Sequence, residues 1–132
     1  MLENNWIDIH CHLDRLEGGS EAALNMAKAA GVSKIITIGT EPEDLQTVID
    51  LAVKYAPDVY CTIGVHPHEG VKYSDEVGDF LLKNAPRPEV VAIGEIGLDY
   101  YYNQSPKEEQ IEAFEKQLEI AYKDFLELNE RQ

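Results

Sequence analysis

Two histidines separated by a single residue, His10 and His12, are the first group in the sequence that could bind a metal ion. They end an apolar run that predicts a β-strand, and alternate side chains of a strand point to the same face. Asp8 is expected to share that face, and Cys11 to point away. Two imidazoles so placed can bind one transition metal. An isolated His-x-His pair also occurs as two ordinary histidines at a strand end, so the pair alone leaves both interpretations open.

Glu95 lies in a second candidate segment, where residues 94–100 read GEIGLDY after another apolar run. Its two glycines allow the backbone to approach a ligand closely. A carboxylate here can bind or bridge metals, or it can cap a loop or pair with a cation. Imidazole and carboxylate ligands together suit zinc, manganese or nickel, and a site richer in oxygen suits magnesium. We predict His10, His12 and Glu95 as ligands of a divalent metal ion whose identity is open.

The third candidate segment, residues 64–68, reads GVHPH and also follows an apolar run. His66 can donate or accept a hydrogen bond near neutral pH, so it could contact a phosphate group or a water molecule bound to a metal. His68 is expected at the rim of the turn. We predict both histidines as substrate-binding residues.

The candidate residues follow strands that alternate with helical patterns over the whole chain. The predicted strands cover residues 6–10, 34–38, 59–65 and 90–93. The predicted helices cover residues 20–30, a segment opened by Thr40 and Pro42 and closed by Pro57, residues 75–84, and a last helix that starts with a capping box at 105–108. Such alternation predicts an α/β fold with a parallel sheet. Because parallel strands end at the same edge, the candidate residues should converge there.

Two details of the helices are specific enough to test. Ser20 is predicted as the N-terminal cap of the first helix, which Gly31 ends. The last helix has apolar residues at alternating steps of three and four, which predicts one continuous apolar face. That face packs either on the chain's own sheet or, if the helix extends further, against another subunit. Its members are Ile111, Phe114, Leu118, Ala121, Phe125 and Leu128.

The length of the chain limits the architecture to one domain. Its 132 residues provide four βα units, about half of an eight-stranded barrel of TIM type, which needs about 250 residues. We therefore predict that residues 1–132 form a single half-barrel domain. Such a sheet has two unpaired edges and an apolar inner face, which a lone subunit tolerates poorly.

Composition excludes several functional classes. The formal net charge of −14 disfavours binding to nucleic-acid backbones or anionic membranes without help from metal cations or a partner. No stretch approaches the roughly 20 apolar residues of a membrane span, and the first residues do not resemble a signal peptide. We expect a cytoplasmic protein in which Cys11 and Cys61 are reduced.

The three candidate segments together resemble the TatD family of metal-dependent deoxyribonucleases, within the amidohydrolase-like barrel superfamily. Residues 7–14, 64–68 and 94–101 resemble the opening, middle and most diagnostic signatures of that family. The resemblance implies a TIM-type barrel that hydrolyses phosphodiester bonds of DNA through a metal-activated water. It also implies one or two divalent metals held by the equivalents of His10, His12 and Glu95, with His66 on the substrate side.

The resemblance stops before the family's second half, which contributes two further histidines and a catalytic aspartate. From Tyr122 onward the sequence continues the helical pattern instead. The general base is therefore unassigned, with His66, Asp99 and Asp8 as candidates. The alternative to an active nuclease is a non-catalytic half-barrel that binds at most one metal. A third hypothesis is amide or phosphotriester hydrolysis, against which the GEIGLD segment argues.

A second half-barrel would supply the four strands that a closed barrel needs. If two copies associate about a two-fold axis, each exposed edge gains a partner and eight strands can close. Two candidate metal sites would then share one mouth. We therefore expect a homodimer that completes the barrel.

Overall fold

The computed structural model describes residues 5–130, and it contains one sheet of four parallel strands in the order β1-β2-β3-β4. The strands are Trp6–Cys11 (β1), Val32–Ile38 (β2), Val59–Ile63 (β3) and Val90–Ile93 (β4). The helices are Ser20–Ala29 (α1), Leu45–Lys54 (α2), Asp75–Asn84 (α3) and Lys107–Glu130 (α4). Short 3-10 helices, Leu13–Arg15 and Pro67–Lys72, follow β1 and β3. The predicted alternation of strands and helices is confirmed.

Two predicted helix starts are wrong. Gly19, with φ of 88°, occupies the cap position of α1, and Ser20 is already its first helical residue. The second helix begins at Leu45 and not at Thr40 or Pro42. The Asp44 carboxylate accepts hydrogen bonds from the Thr40 backbone N–H at 3.0 Å and from the Thr40 hydroxyl at 2.7 Å. These bonds hold residues 40–44 in turns, so the helix starts only after them.

The third strand ends at Ile63, two residues earlier than predicted. The backbone beyond it turns to a different partner, the side chain of Gln117 on α4. The Gln117 amide accepts from the Val65 N–H at 2.7 Å and donates to the Val65 carbonyl at 3.2 Å. The side chain of a buried glutamine thus forms the backbone hydrogen bonds that a neighbouring strand would otherwise form, and it fixes the chain immediately before His66.

The hydrophobic core lies against the two central strands. Its fully buried members include Val59, Cys61 and Ile63 on β3 and Val48 and Ile49 on α2. The edge strand β1 is different, since Ile9 is 70% exposed. Burial of apolar area is the dominant favourable term in folding, so the central strands and α2 contribute most of the stability.

The predicted apolar face of the last helix is not the face that packs on the sheet. The buried residues of α4 lie one position away, at Gln110, Ala113, Gln117 and Ile120. Four of the six predicted members are exposed: Ile111, Leu118, Phe125 and Leu128. The reason is that both buried glutamines bond to backbone groups of the rest of the chain, which compensates for burying their amides.

Among residues 5–130, no helix is both long enough and apolar enough to cross a lipid bilayer.

Candidate metal centre and substrate cleft

The end of β1 is tied to its neighbour β2 directly after the two histidines. Leu13 is buried, and its backbone N–H donates to the Thr37 hydroxyl at 3.1 Å. Upstream, the His10 N–H donates to Asp8 Oδ1 at 3.0 Å. The rings of His10 and His12 lie edge to face with centroids 5.4 Å apart. The strand end therefore presents both imidazoles together, as the alternation of side chains predicts.

Glu95 is positioned by the backbone of the central strands. The Gly94 N–H donates to the Ile63 carbonyl at 3.0 Å, and the Glu95 N–H donates to the Gly39 carbonyl at 2.8 Å. Gly64 is required for this approach, because a Cβ there would lie 2.7 Å from the Gly94 carbonyl carbon. The glycine thus allows the segment bearing Glu95 to lie directly on β3.

Side chains from the two edge strands meet at this end of the sheet. His10 Nε2, on β1, lies 3.8 Å from Glu95 Oε2, which follows β4. One ligand atom from each of His10, His12 and Glu95 lies within 4.8 Å of the others.

These three residues fit the divalent metal that the resemblance implies. Two imidazoles and a carboxylate are a common ligand set for zinc and related ions. In addition, His12 Nδ1 is buried without a hydrogen-bond partner. Buried polar atoms normally have a partner, so this nitrogen is available to bind one. The donor set and this unpartnered nitrogen both favour a cation at the centre of the cluster.

His66 lies on the other side of Glu95, with its Nε2 atom 3.5 Å from Glu95 Oε1. Burial lowers the pKa of His66, and the Glu95 charge partly opposes that shift. The neutral ring is therefore favoured near pH 7. Its Nδ1 accepts a hydrogen bond from the His68 backbone N–H at 3.0 Å, which leaves the ring proton on Nε2, facing the cluster.

His68 bonds to Asp99, another residue of the diagnostic segment. Its Nε2 lies 2.6 Å from Asp99 Oδ2. The hydrogen bond from His68, followed by one from the Tyr102 backbone N–H, holds the pKa of Asp99 below its usual value. The structure therefore gives Asp99 a role in orienting His68, and it places Asp99 with that ring and not in the cluster of His10, His12 and Glu95.

A buried glutamine, Gln110, supports this arrangement and was not predicted from the sequence. Its Oε1 accepts from the Asp99 N–H at 2.8 Å, and its Nε2 donates to the carbonyls of Asp99 at 3.1 Å and Ser105 at 2.8 Å. Ser105 belongs to the predicted capping box, but its hydroxyl donates to the His68 carbonyl at 2.7 Å. The only sequence signal is that Gln110 lies in helical step with Ala113 and Gln117.

A cleft of about 220 Å³ joins these groups. Its lining residues are His12, Arg15, Thr40, Glu41, His66, His68, Glu69 and Glu95. Arg15 is the cation among them, and its Nη2 donates to Thr40 Oγ1 at 2.6 Å and to Asp44 Oδ2 at 2.7 Å. Its charge is thus largely compensated, which leaves the cleft acidic.

Neither cysteine is in a disulfide bond, and neither is a thiolate near neutral pH. Burial, reinforced by Asp8 and Asp14, raises the pKa of Cys11 to about 11. Burial also raises the pKa of Cys61 to about 12. In the part of the chain that the structure describes, the cluster of possible metal ligands consists of two imidazoles and a carboxylate, without a cysteine.

Comparison with known proteins identifies the family. The family model described as TatD related DNase matches residues 7–126. The 3'-5' ssDNA/RNA exonuclease TatD of Salmonella typhimurium is 44% identical over 95 residues, which is 72% of this chain and 36% of that protein. The uncharacterized metal-dependent hydrolase YjjV of Escherichia coli is 40% identical over 120 residues, 88% of this chain and 46% of that protein.

Solved structures extend the agreement to the fold. The crystal structure of Escherichia coli YjjV, a TatD homologue, superimposes with a TM-score of 0.81 at 37% identity and covers 94% of this chain and 49% of its own. A TatD-family hydrolase from Entamoeba histolytica gives a TM-score of 0.74 at 29% identity, covering 93% and 48%. The chain thus spans between about a third and a half of the length of these relatives. The predicted α/β fold of four βα units, of TIM-barrel type, is confirmed, and the chain belongs to the TatD family.

Proposed function

We propose that this chain provides the metal-binding half of a hydrolase active site that cleaves phosphodiester bonds of nucleic acids. The observation that supports this most directly is the cluster of His10, His12 and Glu95, whose ligand atoms lie within 4.8 Å of one another. Side chains from both edge strands meet there, and the cluster opens on a cleft large enough for a phosphate group and part of a sugar. The names of the TatD relatives point to the same chemistry.

Each residue has a proposed role in this site. A bound divalent ion would act as a Lewis acid on the phosphodiester and lower the pKa of a water molecule. His10, His12 and Glu95 would hold that ion. Because the neutral His66 ring has its proton on Nε2, we assign it as a hydrogen-bond donor to a phosphate oxygen and not as the general base.

His68 and Asp99 act as a second pair at the rim. Asp99 fixes the orientation of the His68 ring, which lines the cleft and would contact the substrate. Its lowered pKa makes Asp99 a weaker base, so it serves better as a positioning residue than as the proton acceptor. We therefore assign no general base to this half of the site.

We propose that the substrate class is DNA and that the protein acts in the cytoplasm. The net charge of −14 and the compensated Arg15 offer little attraction for a phosphate backbone. A divalent cation in the cluster would supply the missing positive charge. The candidate ions are zinc, manganese, magnesium and nickel, and the metal dependence of cleavage distinguishes them.

We further propose that residues 1–132 form one half-barrel domain and that a second copy completes the barrel. The edge strand β1 exposes Ile9, and an apolar groove of about 500 Å³ that includes Val91, Phe125 and Leu128 lies beside β4. Both edges are thus open to further strands, whether from a longer polypeptide or from a second copy. Light scattering at micromolar concentration should give twice the mass of 14.9 kDa. A monomeric mass would contradict the two-fold arrangement.

Cleavage of single-stranded DNA in the presence of manganese, magnesium or zinc tests the proposed activity. The double variant His10→Ala, His12→Ala should lose both cleavage and binding of the metal measured by calorimetry. Cys11→Ala is the matched control, because Cys11 lies between the two histidines, and it should keep both. Cleavage that survives in the double variant would refute the site.

The same experiment separates the alternatives. Metal binding without cleavage would favour the non-catalytic half-barrel. Metal-dependent turnover of an amide or phosphotriester but not of DNA would favour a different substrate class on the same scaffold. Absence of both metal binding and turnover would contradict the proposal itself.

A further inference from the structure

The loop after the diagnostic segment exposes consecutive tyrosines beside the cleft. Tyr101 is 86% exposed and Tyr102 is 66% exposed, although tyrosine is usually at least half buried. The Tyr102 ring lies edge to face with the ring of His68, with centroids 5.8 Å apart. His68 lines the cleft, so Tyr102 lies next to a residue of the cleft wall, and Tyr101 contacts Tyr102.

The loop that bears these rings is held in place by several hydrogen bonds. The N–H groups of Tyr101 and Tyr102 donate to Asp99 Oδ1 at 3.0 and 3.1 Å. Asn103, with φ of 47°, donates from its side chain to the Tyr100 carbonyl at 2.9 Å. Gln110 holds the backbone of Asp99 from the other side. A loop ordered in advance loses less entropy on binding, which favours a binding surface.

The rings of Tyr101 and Tyr102 are nearly perpendicular, at 85°, with centroids 4.8 Å apart. This arrangement joins the two side chains into one aromatic corner while leaving both rings largely open to solvent. A flat aromatic ligand can therefore stack on one ring and contact the edge of the other.

The charge distribution explains why stacking would matter in this protein. The cation of the cleft, Arg15, is already bonded to Asp44, and Lys72 at the nearby rim is paired with Glu41 and Glu69. A nucleic acid therefore gains little from its phosphates here. Stacking on an aromatic ring does not depend on net charge, since every nucleobase has a flat face.

We propose that Tyr101 and Tyr102 form a stacking site for an unpaired nucleobase next to the phosphodiester bond in the cleft. This inference rests on the proposed function and deepens it by naming the residues that would contact a base of the substrate. A base inside a duplex has both faces covered by its neighbours and offers none to the tyrosines. The site therefore selects single strands or unpaired ends.

Binding to two probes with the same number of phosphates tests this proposal. The first is a fluorescent oligothymidylate of about eight nucleotides, and the second is an abasic oligonucleotide of the same length. Binding is measured by fluorescence anisotropy. EDTA in the buffer removes divalent metal ions and so prevents cleavage during the measurement. The base-containing probe should bind more tightly, and Tyr101→Ala or Tyr102→Ala should weaken it roughly 5- to 100-fold, with little change for the abasic probe.

Two kinds of variant control for structural damage. Tyr101→Phe and Tyr102→Phe retain the ring and should keep the affinity. Tyr122→Ala removes a tyrosine on α4 that is also exposed, at 63%, and should change neither probe. Equal affinity for the two probes, no measurable binding of either, or an equal loss in the Phe and Ala variants would overturn the stacking site.

The test also distinguishes this inference from the proposed function. The double variant His10→Ala, His12→Ala should lose cleavage and still prefer the base-containing probe. If the natural protein cleaves DNA without that preference, only the stacking site is refuted. If it shows the preference without any metal-dependent cleavage, the stacking site stands and the proposed activity is refuted.

Discussion

The central strands and the edge strands of this sheet have opposite properties. Strand β3 is buried along nearly its whole length, whereas β1 exposes most of its side chains. Yet His10 lies on one edge strand, β1, and Glu95 follows the other, β4. The centre of the sheet holds the fold together, and the edge strands supply two of the proposed metal ligands.

The two regions are coupled through the backbone. The carbonyl groups of Gly39 and Ile63, at the ends of the central strands, accept the N–H groups of Glu95 and Gly94. The central strands therefore determine where the Glu95 carboxylate lies relative to the histidines of β1. This coupling predicts that some substitutions in the centre change the site more than the stability.

The largest effect is expected from a cavity in the centre. Ile63→Ala removes a fully buried side chain and should lower the free energy of unfolding by about 2 to 5 kcal/mol. The matched substitution at the edge, Ile9→Ala, should lower it by less than about 0.5 kcal/mol. Urea unfolding measures both. A loss at Ile9 as large as that at Ile63 would mean that β1 is covered in solution, which would sharpen the case for a partner at that edge.

A clash at the end of β3 should damage the site directly. Gly64→Ala would place a Cβ 2.7 Å from the Gly94 carbonyl carbon and so displace the backbone that holds Glu95. A shift of about 1 Å in a reacting group lowers a rate by on the order of 100-fold, and we expect a loss of that size in DNA cleavage. Metal affinity, measured by calorimetry, should fall with it.

Gly94→Ala is the control for that clash, because a Cβ at Gly94 would meet only the Thr62 side chain, at 3.8 Å. It should reduce cleavage and metal affinity less than Gly64→Ala does. If Gly64→Ala leaves both unchanged, the backbone of β3 does not position Glu95, and the proposed coupling between centre and edge is wrong.

A smaller loss of stability is expected when Gln117, whose side chain bonds to the Val65 backbone, is replaced. Gln117→Leu leaves the Val65 N–H and carbonyl without their partner at a buried position, which costs about 1 to 3 kcal/mol for a stranded group. Gln46→Leu, which removes an exposed hydrogen bond to Asp50, should change the stability little. Equal stabilities of the two variants in urea would show that water replaces the Gln117 amide.

The sequence predicts the fold far better than it predicts these supporting contacts. The bounds of α3 and β4 agree with the prediction. In the structure the Ser74 hydroxyl caps α3 by accepting from the Val77 N–H, and β4 is the apolar run Val90–Ile93. The starts of α1 and α2 were wrong because the cap is a glycine in one case and a carboxylate turn around Asp44 in the other. Both depend on backbone geometry that residue type alone does not specify.

The candidate site follows the same division. His10, His12 and Glu95 could be grouped because parallel strands end at one edge, and the structure does bring them together. Gln110 and Gln117 could not be identified, since a glutamine in an amphipathic helix is typical of an exposed face and its partners lie far along the chain. For the same reason the predicted apolar face of α4 was assigned one position away from the buried one.

The smallest expected effect concerns the pair of His68 and Asp99 at the rim of the cleft. Because the folded-state pKa of Asp99 is lowered by His68, its contribution to stability is present above the usual aspartate pKa of about 3.9 and is lost as the pH falls through the folded-state value. Asp99→Asn should therefore be slightly less stable than the natural protein near neutral pH, and the difference should shrink below about pH 4. His68→Gln removes the other partner, so in urea unfolding the double variant should lose less than the sum of the two single losses. Additive losses at neutral pH, or a difference that grows in acid, would show that the His68 and Asp99 side chains do not stabilise each other.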